Sequence, residues 1–389
     1  MKIISNRLLT AMVVSGGLLW CAPSQADSLG IGTNSQGSLG YSIAAALAKT
    51  VTEKGGLETR AVGMGGSSVF IPQVNSGELA FSTSNTFEAI FATKGTGYFA
   101  GHPNPNIRVV AGLVPFSVGI MVRKDSGIMK LTELKGKRFP ARYSSMKLVG
   151  SIQSAIFNAV GMNDKSIRGV AVPNFVKGAE LMVEGKVVGV LLAPGSGITK
   201  KTNAQVPVRF LDVPNTEATR ASLARDLPST TIVTVKPGKR ATGVLKPTNL
   251  VGYQYALLTN NKVSNDVVYK STKAIAENKE SLIKSHGIFR SFKPQKMVLP
   301  MPGATYHPGA IKYYKESMAL AEEINAKSQV TMAQLNLGNA YGRLNMADSA
   351  LYFSERAYEG SLKGDDITMT WSSNNALALA NLLYGNYEK

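Results

Sequence analysis

Three short polar segments contain the residues best suited to bind a ligand. They read TNSQGS (33–38), GMGGSS (63–68) and STSN (82–85), and each lies between an apolar run and a segment with helical periodicity. Hydroxyl and amide groups there, together with the unpaired backbone N–H groups of helix N-termini, can bind an anion. Any one of these segments could instead be an ordinary Gly/Ser turn, although three in equivalent positions favour a binding site.

The sequence lacks the residue patterns of common catalytic sites. A phosphate-binding loop needs Lys after its last Gly, but Ser38 and Leu39 follow Gly37, and a dinucleotide site needs Gly where Ser35 stands. There is no G-x-S-x-G elbow, no H-x-x-x-H and no dense carboxylate cluster, and the three histidines are isolated in sequence. We therefore predict a protein that is not an enzyme and has no cofactor and no bound metal.

Useful affinity requires that several of these loops converge. One helix N-terminus contributes only about 0.3–1 kcal/mol, whereas micromolar binding corresponds to about 8 kcal/mol. We therefore expect an apolar or aromatic contact in the same site.

The order of the predicted elements indicates two α/β lobes. Strand and helix patterns alternate up to Arg123, where a second α/β unit begins, and β-rich segments near 115–125 and 232–258 connect the two units as a hinge. The predicted limits are 27–122 with 235–316 for lobe 1 and 123–234 for lobe 2. A ligand cleft is expected between the lobes, beyond the carboxyl ends of the strands.

The first 26 residues are typical of a secretory signal peptide. Lys2 and Arg7 precede an apolar stretch of about 15 residues, and small residues precede Asp27. A membrane anchor is the alternative, but this stretch is shorter than the ~20 residues needed to span a bilayer. Cleavage after Ala26 would remove Cys21, the only cysteine, and release a periplasmic protein.

Positive charge is concentrated in the predicted lobes. The chain carries a net charge of +18. Residues 1–26 contribute +2, residues 27–316 contribute +19 and residues 317–389 contribute −3. Such a charge could suit nucleic acid, anionic lipid or an anionic ligand. Because the basic residues are scattered and no nucleic-acid motif occurs, we interpret them as a solvated surface and predict no nucleic-acid partner.

Six segments between about residues 29 and 316 carry a family resemblance, and they read IGTNSQGSLGYSIAAALA, VNSGELAFSTSN, VGIMVRKDSGIMKLTELKGKRF, VVGVLLAPGSG, DVVYKSTKAIAENKESL and YHPGAIKYYKE. These segments resemble the extracytoplasmic solute receptors of tripartite (TRAP) transporters, in the TAXI subgroup. The resemblance implies an α/β fold like that of type II periplasmic binding proteins, with a ligand cleft between hinged lobes. It also implies a small anionic or zwitterionic solute, such as glutamate, glutamine or a related carboxylate, that is passed to the TRAP membrane subunits.

The resemblance further assigns the ligand contacts. They are Thr33, Asn34, Gln36, Gly37 and Ser38 in the first loop, with Gly66, Ser67, Ser84 and Asn85 in the second and third loops. The usually Gly/Ser-rich loop after LKGKR is FPARYSS here, which places Arg142, Tyr143 and Ser144 near the cleft. Arg142 could pair with a ligand carboxylate or lie on the surface, and Gly189 stands where the family commonly has Asp. The identity of the solute therefore stays open.

Residues 317–389 are predicted to be helical and outside the resemblance. Leu337–Tyr341, Ala350 and Ala357 match the tetratricopeptide spacing, and a second copy begins at Leu377 and stops before its next Ala, which suggests a truncated array. A pair of amphipathic helices docked on the receptor is the alternative. Two other functions remain open beside the receptor: a degenerate receptor that binds a protein through this tail, and an enzyme on the same scaffold.

Overall fold

The computed structural model describes residues 28–299, 301, 304–323, 327–343, 346–363 and 367–385, so the predicted signal peptide lies outside the described residues. The strands are β1 (Leu29–Asn34), β2 (Thr59–Met64), β3 (Phe81–Asn85), β4 (Ile107–Arg123), β5 (Arg138–Ala141), β6 (Arg168–Ala171), β7 (Gly189–Leu192), β8 (Val208–Phe210), β9 (Thr231–Val235) and β10 (Thr248–Asn260). The helices are α1 (Leu39–Gly55), α2 (Ser67–Ser76), α3 (Thr86–Lys94), α4 (Lys147–Asn158), α5 (Phe175–Val183), α6 (Gly197–Gln205), α7 (Glu217–Asp226), α8 (Asn265–Glu277), α9 (Lys279–Ser285), α10 (Pro308–Glu323), α11 (Lys327–Arg343), α12 (Ala347–Leu362) and α13 (Ile367–Tyr384).

The main sheet combines three parallel strands with two long antiparallel ones. Its order is β2-β1-β3-β10-β4-β7, with β8 also paired to β4 and β9 to β10. Strand β1 is parallel to β2 and β3, whereas β10 is antiparallel to β3 and β4. The sequence pattern predicts a largely parallel sheet. The difference arises because the chain leaves lobe 1 along β4 and returns along β10 in the opposite direction.

Strands β4 and β10 cross from one lobe to the other. The last residues of β4 pair with β7 and β8 of lobe 2, while its first residues pair with β10 beside β3. The register of the β4–β10 pair shifts between Gln254 and Ala256, and a bulge of this kind bends a strand. In lobe 2, β5 and β6 form a separate parallel pair. The predicted fold of two α/β lobes joined by crossing strands is confirmed.

Helix α1 begins where the first polar segment ends. The side chain of Ser38 accepts a hydrogen bond from the backbone N–H of Tyr41, and Gly56 follows the helix in the left-handed conformation, at φ 65°. Between these ends, Ile43 and Leu47 lie one turn apart and are fully buried. This apolar face packs α1 on β1, β2 and β3, so its N-terminal turn lies beyond the carboxyl end of β1.

The third polar segment lies in a strand, as the pattern of residues 80–85 predicts, and does not form an open loop like the one that its grouping with the other two segments implies. Strand β3 continues through Asn85, and α3 begins at the next residue. The side chain of Asn85 accepts from the N–H of Glu88, and the Glu88 carboxyl group accepts from the N–H of Asn85, which together form a capping box. Because Asn85 caps the helix at once, no residue remains to form an open loop.

Helices α11, α12 and α13 form the C-terminal region, which confirms that the tail is helical. The limit predicted at residue 316 falls within α10. Leu337 and Ala350 are fully buried, and a Cβ at Gly338 would lie 2.5 Å from Oγ of Ser354, so α11 and α12 approach closely. None of the described helices combines the length and the apolar character needed to cross a membrane.

The tail rests on lobe 1. Asn336 of α11 donates a hydrogen bond of 2.8 Å to the carbonyl oxygen of Gln295, and Nζ of Lys315 in α10 lies 5.2 Å from the centroid of the Tyr341 ring. Helix α11 is therefore docked on lobe 1, as the alternative of amphipathic helices docked on the receptor predicts. This contact is compatible with a repeat origin of the helices as well.

Candidate functional site

A small cavity lies between the two lobes, on the crossing strands. It encloses about 60 Å³ and is lined by the N-terminal turn of α1, by β4 and β10, and by α4, α5 and β7 of lobe 2. Its lining is mostly apolar, and none of the described residues that form it carries a charged side chain. The position between the lobes is the one predicted for the ligand cleft.

Three stacked aromatic rings form the floor of this cavity. Phe116 of β4 lies between Tyr253 and Tyr255 of β10, with ring centroids 5.3 and 5.0 Å apart and interplanar angles of 17° and 22°. The two tyrosines are only 6% and 4% exposed, and within the described part of the chain neither hydroxyl has a hydrogen-bond partner. Burial raises the pKa of both phenols, so both hydroxyls keep their protons and can donate.

Four helix N-termini converge on the cavity. The lining contains the N-cap residues of α1, α4 and α6, which are Ser38, Met146 and Ser196, and the first residues of α1 and α5, which are Leu39 and Phe175. The first backbone N–H groups of a helix have no intrahelical acceptor and carry the positive end of the helix dipole. Their convergence favours a negatively charged or strongly polar oxygen in the cavity.

Two features of lobe 1 beside the cavity are unusual: an unpartnered polar atom of Asn34 and the close approach of Gly40 to an aromatic side chain. The Oδ1 atom of Asn34 is buried and has no hydrogen-bond partner among the described residues, and Asn34 lines the cavity. A Cβ on Gly40 would lie 2.7 Å from the hydroxyl oxygen of Tyr255. Glycine at this position therefore allows the first turn of α1 to approach the aromatic floor.

The lobes are in contact beside the cavity. Oγ of Ser68 donates a hydrogen bond of 3.2 Å to the carbonyl oxygen of Ser145 in lobe 2. A Cβ on Gly66 would overlap the same oxygen and lie 3.0 Å from Cα of Met146. On the other side, a Cβ on Gly197 would lie 3.1 Å from the carbonyl oxygen of Gly37. The structure therefore shows the lobes closed.

A buried polar network lies behind the aromatic floor. Glu88 is 1% exposed and accepts hydrogen bonds from Ser84, Asn85 and the hydroxyl of Tyr98. Burial raises the pKa of Glu88, and its charge would in turn raise the pKa of Tyr253 and Tyr255. Glu88 does not itself line the cavity, because its carboxyl group faces donors of its own lobe.

The structure brings two of the predicted first-loop contacts to the cavity, Asn34 and Ser38. Thr33 is fully buried and accepts a hydrogen bond of 2.9 Å from Thr83 on the neighbouring strand. Gln36 and Gly37 are exposed and lie outside the cavity lining, because the loop turns toward lobe 2 after Asn34.

The predicted second- and third-loop residues stabilise lobe 1 or contact lobe 2. Gly66 packs on Ser145, and Ser67 is 1% exposed, with its Oγ 3.3 Å from the hydroxyl of Tyr98. Ser84 and Asn85 are fully buried and bind Glu88. None of these four lines the cavity, because their polar groups already face partners.

The residues predicted from the FPARYSS loop of lobe 2, which differs from the family pattern, also lie away from the cavity. Arg142 is exposed, has φ 48°, and donates from Nη2 to the carbonyl oxygen of Gly169 at 3.1 Å. Tyr143 is buried with its hydroxyl 3.0 Å from Oε1 of Gln153, and Ser144 is exposed. Of the two possibilities for Arg142, the structure shows the surface position, because its side chain turns back along the edge of β6.

The sequence predicts an apolar or aromatic contact in the site but does not identify the residues of the aromatic floor or of the apolar wall in lobe 2. Phe116, Tyr253 and Tyr255 lie on the two segments that the sequence predicts to be β-rich and to cross between the lobes. Tyr253 and Tyr255 are two residues apart, so a strand there would place both rings on one face, which is the one indication the sequence gives. Phe175 and Leu191 have no such indication in the sequence. Among the described residues, no group of three or more His, Cys, Asp or Glu side chains could hold a metal ion.

Comparison with known proteins places the two lobes in an established family. Residues 31–317 match the NMT1-like family. A structure described as that of a periplasmic transporter is 14% identical, with 78% of this chain and 97% of that chain covered and a TM-score of 0.49. The MOPS-bound alkanesulfonate-binding protein SsuA of Xanthomonas axonopodis pv. citri is 12% identical, with coverages of 78% and 94% and a TM-score of 0.42. The aliphatic sulphonate-binding protein SsuA of Escherichia coli is 14% identical, with coverages of 77% and 93% and a TM-score of 0.40.

The family match covers both lobes, the crossing strands and every residue of the cavity, and it ends within α10, before the helical tail. The chain belongs to the NMT1-like family.

Proposed function

We propose that this protein is a periplasmic solute-binding receptor that captures a small carboxylate-bearing solute between its lobes and delivers it to a membrane transporter. The observation that carries the proposal is the interlobe cavity, toward which four helix N-termini converge. The fold provides hinge strands and opposed lobes, and the cavity provides donors and an apolar surface. On the resemblance described above, the transporter is of the TRAP type, in the TAXI subgroup.

The size of the cavity indicates how the solute enters. The closed arrangement encloses about 60 Å³, which is less than the roughly 150 Å³ of a protein cavity that binds benzene. A solute of that size therefore needs the lobes further apart than they are here, both when it enters and when it is bound, and the bend in the crossing strands is the place where the lobes would move. Binding in this manner leaves the solute unchanged, and we propose no reaction.

A thermal-shift screen of the purified full chain tests this function. The protein is unfolded, freed of ligand, refolded, and mixed with amino acids, dicarboxylates and other organic acids. A solute at 100 times its dissociation constant adds about 2.7 kcal/mol to the unfolding free energy, and each kcal/mol raises the melting temperature by roughly 2–4 °C. We expect a rise of several degrees with one class of solute.

Asn34→Ala is expected to reduce this rise, because Asn34 lines the cavity. Asn374→Ala, on the exposed face of α13, is the matched control and should respond to the solute as the unchanged protein does. A screen in which no solute raises the melting temperature would contradict the receptor function.

A second candidate function is that of an interaction module, and a groove beside the tail favours it. The groove has a volume of about 740 Å³ and lies between α11, α13 and residues 293–299 of lobe 1. Lys293 and Lys296 form its cationic side, no acidic residue is among the described residues of its lining, and Trp371 at its edge is 69% exposed. A peptide segment with acidic and apolar side chains is the partner that this charge and surface fit.

Charge reversal tests the second candidate. Fluorescence anisotropy with labelled acidic–apolar peptides should show binding that is lost in the double variant K293E/K296E. The double variant K135E/K137E, with two exposed lysines of lobe 2, should keep it. Equal binding by both variants would show that the peptide does not occupy the groove.

A further inference from the structure

We infer that the solute of the interlobe cavity is an organic anion with an apolar body and no ammonium group. This inference rests on the proposed receptor function and narrows the class of solute. It departs from the glutamate-like, zwitterionic solute that the family resemblance implies.

The donors at the cavity suit a carboxylate or similar anionic group. Ser38 and Ser196 line the cavity as the N-cap residues of α1 and α6, and the side chain of each accepts a hydrogen bond from the backbone N–H three residues later. The backbone N–H groups between each cap and that position have no acceptor within the helix. Tyr253 and Tyr255, two residues that are more than nine-tenths buried, add two hydroxyl donors that have no partner in the part of the chain described.

These unpartnered hydroxyls point to a ligand independently of the helix ends. A hydroxyl on so deeply buried a residue normally finds a hydrogen-bond partner, and because neither oxygen is fully enclosed by the described residues, a partner can reach it from the cavity. The two tyrosine rings flank Phe116 and line the cavity, so an oxygen atom of a bound solute is the acceptor that the cavity would supply.

The body of the solute meets an apolar surface. The floor is the stack of Tyr253, Phe116 and Tyr255, and the opposite wall in lobe 2 includes Val149, Phe175 and Leu191. Burial of an aliphatic or aromatic body here removes it from water, and this transfer becomes more favourable as its apolar area increases. A second charged group on the solute would be buried where the described lining offers no counter-charge, only the neutral and unpartnered Oδ1 atom of Asn34.

An ammonium group in particular finds no counter-charge. It has three donors and no acceptor, and an ion buried without a partner is strongly disfavoured. The buried acid among the described residues is Glu88, whose two carboxyl oxygens already accept hydrogen bonds from Ser84, Asn85 and Tyr98.

Matched pairs of solutes test the inference by isothermal titration calorimetry on the ligand-free full chain. The pairs are 4-methylpentanoate with leucine, and 3-phenylpropanoate with phenylalanine, which differ only in the α-ammonium group. We expect the acid of at least one pair to bind ten times more tightly than its amino acid, or more. Amino acids that bind as tightly as the matched acids, or more tightly, would overturn the inference and leave the receptor function standing. If no acid or amino acid in the pairs or the wider screen binds, both the inference and the receptor function fail.

A conservative variant shows whether the binding acid occupies this cavity. Tyr255→Phe keeps the stacked ring and removes one hydroxyl, so it should weaken binding of the acid by about 2- to 12-fold, the usual effect of one neutral hydrogen bond. Tyr352→Phe removes an exposed hydroxyl from α12 and should leave the affinity unchanged. Equal affinity in Tyr255→Phe and the unchanged protein would contradict the assignment of this hydroxyl to the solute.

Discussion

Gly66→Ala is expected to weaken solute binding by about 5- to 150-fold without disrupting lobe 1. A Cβ at this position overlaps the carbonyl oxygen of Ser145 and lies 3.0 Å from Cα of Met146, and both atoms belong to the backbone of lobe 2. A backbone atom cannot rotate away as the end of a side chain can. Overpacking of this kind costs about 1–3 kcal/mol, which corresponds to the stated loss of affinity.

The strain falls on the closed state alone. Gly66 has φ 165° and ψ 172°, an extended conformation that alanine adopts freely. The methyl group therefore meets no obstacle when the lobes separate. We expect the melting temperature of ligand-free Gly66→Ala to stay close to that of the unchanged protein, while its dissociation constant for the solute rises.

Calorimetric titration with the solute found in the screen measures this effect. Gly238→Ala is the control, because a Cβ at Gly238 meets no atom within 4 Å, and its affinity should be unchanged. If Gly66→Ala bound the solute with normal affinity, the lobes would not close at the Gly66–Ser145 contact. Small-angle scattering should also show that saturating solute compacts the unchanged protein more than it compacts the variant.

The fold could be predicted from the sequence because its evidence is distributed along the chain. Alternation of strands and helices indicates an α/β lobe, and a return to β-rich sequence after the second unit indicates crossing strands. Helix caps such as Ser38 and Ser264 are local features, so the starts of α1 and α8 follow from a few neighbouring residues. These features do not depend on contacts between distant parts of the chain.

The contacts around the cavity could be predicted only in part. Asn34 and Ser38 line it because they end β1 and begin α1 at the carboxyl edge of the sheet. Ser84 and Asn85 have the same polar character in the sequence, yet their side chains donate hydrogen bonds to Glu88, which lies four and three residues later in the chain. Residue type alone does not distinguish a donor that faces a cavity from one that faces a buried carboxyl group.

The residues of the aromatic floor could not be identified from the sequence because their stacking depends on strand register. Phe116 meets Tyr253 and Tyr255 only because β4 and β10 pair antiparallel with Phe116 opposite Tyr253. A register shift of one residue would turn these side chains to the other face of the sheet. The sequence contains the aromatic residues but not the pairing that stacks them.

Glu88→Ala is expected to destabilise the protein by about 3–5 kcal/mol. The change removes the acceptor of the side chains of Ser84, Asn85 and Tyr98, all of which lie in the buried network. A buried donor left without an acceptor costs about 1–3 kcal/mol. The capping box at the start of α3 is lost as well. At roughly 2–4 °C per kcal/mol, the melting temperature should fall by roughly 6–20 °C.

An exposed glutamate provides the comparison for this variant. Glu180 pairs with Lys177 at 3.0 Å on the surface of α5, with 54% of its side chain exposed. Glu180→Ala should change the unfolding free energy by less than about 1 kcal/mol. Chemical denaturation of both variants measures the difference, and a Glu88→Ala protein as stable as Glu180→Ala would contradict the structural role of the network.

The destabilisation by Glu88→Ala should also depend on pH. Burial raises the pKa of Glu88 above its ordinary value of 4.5, so the folded protein holds this proton more tightly than the unfolded chain does. The resulting stabilisation is complete below pH 4.5 and is lost as the pH rises through the folded-state pKa. Glu88→Ala lacks this contribution at every pH. The difference in unfolding free energy between the unchanged protein and the variant should therefore shrink from pH 5 to pH 8, whereas a difference that grows over this range would mean that Glu88 is buried as a carboxylate.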